Sequence, residues 1–288
     1  MSKPKIGVVG VGTMGNGIAQ VFAMRGFDVT VADVSQSILE HGLSTIRHSL
    51  GRLAKKGQIE DTDIPAIMTR LRPSTRLADM ADLDLVVEAV TEEVHTKEEI
   101  FRELAESVRP DTVLASNTSS ISLTRIASWV PHPERVIGMH FMNPVPVMQL
   151  VEIVRARQTG DAAFNTVQEL SRVLGKTPVS VKDYPGFVSN RVLMPMINEA
   201  AFTLYEGLAS AEDIDHVMRL GMNHPIGPLA LADMIGLDTC VSIMDILYHE
   251  FRDSKYRVCP LLVQLVAAGR LGRKTGQGFF DYNQNSEA

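Results

Sequence analysis

The chain predicts an α/β fold: a mostly parallel sheet wound with helices and carrying an inserted helical hairpin, followed by an all-helical C-terminal domain. Three observations predict it. Short β-branched runs alternate with stretches of helical periodicity through the first two thirds of the chain. Most of those runs are continuously apolar, as strands covered on both faces are. After Lys182 the strand-like runs stop and helical spacing takes over.

In order, the strand candidates are "KIGVV" (5–9), "DVTVAD" (28–33), "LDLVVEA" (83–89), "TVLAS" (112–116), "RVIGMH" (135–140), "QLVEIV" (149–154) and "PVSV" (178–181). Helices are expected over 15–24 and 96–107. The segment between Asp33 and Leu83 reads as helical throughout and is far longer than the dozen or so residues a crossover needs. It is expected to stand off the sheet as a helical hairpin. "DYPGFVSNR" carries Pro185 and Gly186 and marks a boundary, which predicts domains over 1–184 and 185–288. In the second, "SAEDIDHVMRLG" opens with Ser210 and Asp213 in a capping pattern and closes on Gly221.

Composition excludes several classes. The 288 residues are 45% hydrophobic and 22% charged, with a net charge of -6, which argues against a nucleic-acid binder. No apolar run reaches the length of a membrane span, and glycines interrupt the N-terminal apolar stretch that a signal peptide would need. Cys240 and Cys259 have neither disulfide-framework nor zinc spacing, so no metal is expected. Free thiols in a reducing compartment, the cytoplasm by default, are the expectation.

Chemistry begins with "KIGVVGVGTMGNGIAQ". Gly10, Gly12 and Gly15 form G-x-G-x-x-G between a strand and a helix, the context that makes the motif informative. Gly10 permits the tight turn, Gly12 lets the backbone approach a pyrophosphate, and Gly15 lets helix and strand pack closely. With Thr13 and Met14 they form the expected cofactor loop of a Rossmann-type domain. Asp33 ends the second strand, about twenty residues on, where an acidic side chain accepts from a ribose 2′-hydroxyl; a cap for the next helix is its plain alternative. Its charge would repel a 2′-phosphate, so NAD is favoured over NADP.

Ligands of such sheets bind beyond the carboxyl ends of the strands. Glu88, Asn117, Ser119, Ser120 and His140 fall there, with Glu92 and Lys97 just past Glu88. Histidine suits proton exchange near neutral pH. Alone, a strand-end histidine is more often structural; in this company His140 becomes a candidate acid–base. Glu152 follows the turn "NPVP" among apolar neighbours, and a carboxylate on one ring nitrogen would orient the imidazole. Ser119 is a candidate for binding a substrate oxygen; "NTSS" is not a nucleophile elbow, and a helix cap is its plain alternative.

Six stretches, "GVGTMGNGIAQ", "ASNTSSISL", "GMHFMNPVPVMQLVE", "DYPGFVSNRVLMPMINEA", "HPIGPLALADMIGLD" and "GRKTGQGFFDY", together resemble the (S)-3-hydroxyacyl-CoA dehydrogenases, most closely the stand-alone 3-hydroxybutyryl-CoA type. The resemblance covers essentially the whole chain; Met142 departs from it, standing where the family usually has an aromatic. It implies His140 as general base, Glu152 as its partner, and Ser119 and Asn190 as hydrogen-bond donors to the reacting oxygen. It implies cofactor contacts at Glu92, Lys97, Asn117 and Lys274, and coenzyme A contacts at Ser49 and Lys56 on the basic segment "STIRHSLGRLAKKG". The implied partner is an acyl-CoA thioester, and the apolar second domain suggests a homodimer. A dehydrogenase of free hydroxy or sugar acids, or a non-catalytic NAD-binding protein on the same fold, is the alternative.

Overall fold

The computed structural model describes residues 3–283. Two compact units result, Met1–Tyr184 and Pro185–Ala288. The outermost residues of the expected domains, 1–2 and 284–288, lie outside the described residues.

The first unit is one eight-stranded sheet. Its strands are β1 (Ile6–Val9), β2 (Val29–Ala32), β3 (Leu71–Ser74), β4 (Leu85–Glu88), β5 (Val113–Ser116), β6 (Val136–Phe141), β7 (Leu150–Arg155) and β8 (Thr177–Lys182). The order is β3-β2-β1-β4-β5-β6-β7-β8, and every neighbouring pair is parallel except β6 and β7. Helices α1 (Thr13–Met24), α2 (Gln36–Lys55), α3 (Asp63–Met68), α4 (Val94–Ser107), α5 (Leu123–Ala127) and α6 (Asp161–Val173) accompany it.

Continuous apolar runs become strands because helices cover them. All four residues of β1, β4 and β5 are buried. Ile6, Val8, Val29, Val31, Leu85 and Val87 meet Ile18 and Phe22 of α1 and Leu39, Ile46 and Leu50 of α2 in one core cluster. Those three α2 residues, with Gly42 and Leu53, lie at helical spacing and form its buried stripe.

One expectation is corrected. The segment between Asp33 and Leu83 is not helical throughout: after α2 and the single short helix α3 it returns to the sheet as β3. "LRPS" hides as a strand because Pro73 removes a ladder donor and its neighbours are polar. As the sheet's edge it pairs only with β2, Pro73 lying opposite Val31, and an edge tolerates the missing N–H. The inserted helices thus form one long arm and one short one.

The reversal between β6 and β7 has a plain cause. Residues 142–149 are too few for a parallel crossover, which needs about a dozen or more. They turn the chain back, so β7 runs antiparallel to β6; α6 then provides the crossover to β8.

The second unit consists, among the described residues, of α7 (Ser189–Tyr205), α8 (Ala211–His216), α9 (Pro228–Ile235), α10 (Leu237–Phe251) and α11 (Pro260–Ala267), with short 3-10 and π turns. Met194, Ile197, Leu229, Leu237, Met244, Leu247 and Leu262 pack its core. Ser210 caps α8, accepting from Asp213 N–H at 3.1 Å. The buried Asn198 amide ties helix to loop, donating to Arg257 O at 3.0 Å and accepting from Cys259 N–H at 2.8 Å.

Candidate active site

The glycine loop joins β1 to α1 with the geometry its sequence calls for. Gly10 has φ +88°, and a Cβ there would sit 2.7 Å from Ala89 O. A Cβ on Gly15 would lie 1.7 Å from Gly10 O, so only glycine lets α1 start this close to the strand. Gly12 is the converse: a Cβ there meets nothing within 4 Å. Gly12 and Thr13 are exposed, Met14 is half-buried, and the first turn of α1 carries no acidic side chain. An open backbone at an uncapped helix N-terminus suits a pyrophosphate.

Asp33 is held beside this loop. Its Oδ2 accepts from Val11 N–H and its Oδ1 from Val34 N–H, both at 2.8 Å. The carboxylate therefore has a fixed position next to the glycines, as ribose recognition requires. These residues fit an NAD-type dinucleotide. Helix α2 packs against the same loop through Gly42, where a Cβ would meet the Val11 side chain at 2.2 Å.

At the carboxyl ends of β4 and β5 lies a polar cluster. Glu88 and Lys97 are fully buried and paired, Lys97 Nζ donating to Glu88 Oε1 at 2.5 Å. Lys97 is thus no surface lysine. Ser116 Oγ donates to Glu88 Oε2 at 2.6 Å, and Lys97 Nζ also lies 3.4 Å from Glu92 Oε2. Glu92 Oε1 in turn accepts from Ser119 N–H and Ser120 N–H at 3.0 Å, from Ser120 Oγ at 2.8 Å, and from Thr118 Oγ1. Burial opposes the Glu92 charge, but the Lys97 ammonium and the donors from Thr118, Ser120 and Ser119 outweigh it and hold the carboxyl below its usual range.

His140 and Glu152 are directly opposite each other across the antiparallel β6–β7 pair. His140 Nδ1 and Glu152 Oε2 are 2.9 Å apart, and both side chains are buried. Asn117 sits beside them, its Oδ1 accepting from Phe141 N–H at 2.9 Å. The turn between His140 and Glu152, with a cis Asn143–Pro144 peptide, rests on α1: a Cβ on Gly17 would meet Val145 Cβ at 2.8 Å. Lys176 Nζ secures that turn, donating to Val145 O at 2.6 Å and Met148 O at 2.7 Å. Sequence reading missed Lys176, Ser116 and Thr118. Ser116 closes an apolar strand and Thr118 follows two positions later, a usable signal; nothing in the spacing of Lys176 gives it away.

Ser49, Lys56, Asn190 and Lys274 lie on or at the end of other elements. Ser49 is half-buried on α2, and Lys56 is exposed at its C-terminal end, beside Arg52 and Lys55. Asn190 lies in the first turn of α7 in the second unit, its N–H donating to Gly186 O at 3.1 Å. Lys274, also in the second unit, pairs with Asp238 at 2.6 Å. Among the described residues, no cluster of three or more His, Cys, Asp or Glu side chains could hold a metal.

Residues 5–184 match the family model "3-hydroxyacyl-CoA dehydrogenase, NAD binding domain", and residues 186–282 match the C-terminal domain of the same family. The chain belongs to the 3-hydroxyacyl-CoA dehydrogenase family. Among other members, it is 53% identical over 279 residues to a probable 3-hydroxybutyryl-CoA dehydrogenase of Deinococcus radiodurans, covering 96% of this chain and all of that one. It is 51% identical over 278 residues to the 3-hydroxybutyryl-CoA dehydrogenase of Bradyrhizobium diazoefficiens, covering 96% and 95%. The crystal structure of (S)-3-hydroxybutyryl-CoA dehydrogenase from Ralstonia eutropha superposes with a TM-score of 0.94 at 50% identity, covering 98% of this chain and all of that one. In this 3-hydroxyacyl-CoA dehydrogenase family member, the glycine loop and Asp33 lie within the NAD-binding domain. An acyl-CoA substrate is consistent with that membership, and among the described residues no helix is long and apolar enough to cross a membrane.

Proposed function

We propose that this chain is an NAD-dependent oxidoreductase interconverting (S)-3-hydroxybutyryl-CoA, or another short-chain 3-hydroxyacyl-CoA, and the corresponding 3-ketoacyl-CoA. The observation that carries the reading is the buried His140–Glu152 contact on the strand pair beside Asn117, in a sheet whose first strand ends in a dinucleotide loop. The names of the relatives support the substrate class.

Bound NAD supplies the acceptor or donor of a hydride at substrate C3. The chain's part is placement and proton transfer. A Glu152 carboxylate accepts from His140 Nδ1–H and so sets the tautomer. Proton exchange with the substrate 3-hydroxyl then falls to Nε2. As His140 gains the proton, the imidazolium is stabilised by the adjacent carboxylate; in the reverse direction it protonates the developing alkoxide. Ser119 and Asn190 are the proposed hydrogen-bond donors to that oxygen. Glu92, Lys97, Asn117 and Lys274 complete the proposed cofactor set with the glycine loop and Asp33. Ser49 and Lys56, on the basic end of α2, are the proposed contacts to coenzyme A.

The helical unit 185–288 is proposed as substrate and dimerisation domain. An apolar groove of about 550 Å³ between α7 and α8, lined by Met196, Ala200, Leu208, Ile214 and Val217 among others, supports an interface there. Two buried free thiols fit a reducing location, the cytoplasm.

The test is NADH oxidation with acetoacetyl-CoA against free acetoacetate. Rapid turnover of the thioester alone is expected, and His140→Gln should lose about three orders of magnitude or more in turnover while NADH binding survives. Equal turnover of the free acid would move the assignment to the hydroxy-acid dehydrogenases, and a fully active His140→Gln would remove His140 from the mechanism.

A further inference from the structure

We propose that Glu88 is a positioning residue for the reaction, setting the place of Ser119 through two separate routes. The proposal rests on the role assigned above to Ser119.

Glu88 ends β4 and is inaccessible to solvent, its carboxylate enclosed by Lys97, Val90 and Ser116. Its two carboxylate oxygens are nonetheless fully engaged and feed one loop from both sides. Oε1 accepts from Lys97 Nζ at 2.5 Å and from Val90 N–H at 2.8 Å. Lys97 reaches on to Glu92, and Glu92 accepts from Ser119 N–H, Ser120 N–H and Ser120 Oγ. That is the first route. Oε2 accepts from Ser116 Oγ at 2.6 Å, and Ser116 Oγ itself accepts from Thr118 N–H at 3.1 Å. That is the second route, and it fixes the residue preceding Ser119. The main chain adds a third tie, Asn117 N–H donating to Glu88 O at 2.8 Å.

A buried carboxylate is costly to desolvate, and an apolar pair would serve packing alone as well or better. What this carboxylate adds is direction. It presents two acceptor oxygens to three donors: an ammonium, a backbone amide and a hydroxyl. A glutamine offers one acceptor oxygen; with that oxygen facing Lys97, its NH2 meets Ser116 Oγ as a donor and the hydroxyl must turn its proton elsewhere, while Lys97 keeps only the Glu92 carboxylate, 3.4 Å away, as counter-charge. Both braces on the loop 116–120 would then be weakened while the sheet beneath it stays hydrogen-bonded.

A double-mutant cycle tests this, measuring kcat/KM with acetoacetyl-CoA and NADH for the full chain. Glu88→Gln should lower kcat/KM by about tenfold to a hundredfold, the cost of a small misplacement of a reacting-oxygen contact. At saturating NADH, where the proposed cofactor contacts of Glu92, Lys97 and Asn117 drop out of the comparison, the same substitution should cost less than about threefold in a Ser119→Ala background, because the group it positions is already gone. Losses that multiply across the cycle would overturn the proposal, because Glu88 would then not act through Ser119. Should Glu88→Gln fail to fold, Ser116→Ala cuts the second route alone and enters the same cycle. It must cost more than about threefold in the wild-type background and nothing further beside Ser119→Ala; no loss in the wild-type background would equally overturn the proposal. Full activity of Ser119→Ala by itself would instead refute the role of Ser119, a failure separate from that of the coupling.

Discussion

Glu152→Gln separates the carboxylate's charge from its shape. The substitution is nearly isosteric, and Glu152 is 2% exposed, so solvent cannot replace the lost charge. With Nδ1 and Oε2 2.9 Å apart, the centres of charge in an imidazolium–carboxylate pair lie roughly 4 Å apart, worth about 4 kcal/mol at an effective dielectric constant of ~20. A glutamine carbonyl can still accept from Nδ1–H, which offsets about 1 kcal/mol. The net loss of about 3 kcal/mol falls on the state in which His140 carries the extra proton, and corresponds to about two orders of magnitude in kcat/KM. The assay is initial-rate NADH oxidation with acetoacetyl-CoA, alongside NADH binding by fluorescence and the thermal midpoint. Binding and midpoint should change little. A variant with kcat/KM within about threefold of wild type and an unchanged midpoint would refute the pairing as the source of imidazolium stabilisation.

Other consequences can be checked as directly. Asp33→Arg removes the proposed acceptor for the ribose hydroxyl and the brace on Val11 N–H; the NADH-to-NADPH preference should fall by about tenfold to a hundredfold, and an unchanged ratio of kcat/KM values would show that Asp33 does not read the ribose. Burial pushes the Cys240 thiol up to about 12 and raises Cys259 as well. A raised thiol stays protonated below its pKa, and the thiolate is the nucleophile, so at pH 8 neither cysteine should react with a disulfide reagent until urea unfolds the chain. Rapid labelling of the native protein would contradict that burial. A homodimer should sediment at about twice the 31.6 kDa chain mass; a monomer alone at micromolar concentration would rule out the proposed interface in the helical unit.

Much of the fold was legible because burial leaves a mark on sequence. Strands covered on both faces are apolar along most of their length, and β1, β4, β5 and β6 read that way apart from Glu88, Ser116 and His140 at or next to their carboxyl ends. Strand β3 was not legible. An edge strand needs neither two apolar faces nor both of its ladders, so "LRPS" resembles a loop.

The candidate site divides in the same manner. G-x-G-x-x-G with Asp33 is local chemistry: tight turn, close packing and a carboxylate at a strand end depend on residues near one another in the chain, and the sequence alone determined them. His140 and Glu152 were visible as candidates, but their contact depends on register. A slip of one residue between β6 and β7 would turn Glu152 to the opposite face. Only the tertiary structure places His140 opposite Glu152, because the short turn forces the reversal and Lys176, from beyond α6, pins it. Lys97 shows the point most plainly. By composition it is a surface lysine; in the fold it is buried, because β4 delivers the Glu88 carboxylate to meet it. A sequence can state which charges exist, but the energy of a buried charge is set by the neighbour that compensates it, and that neighbour is chosen by the fold.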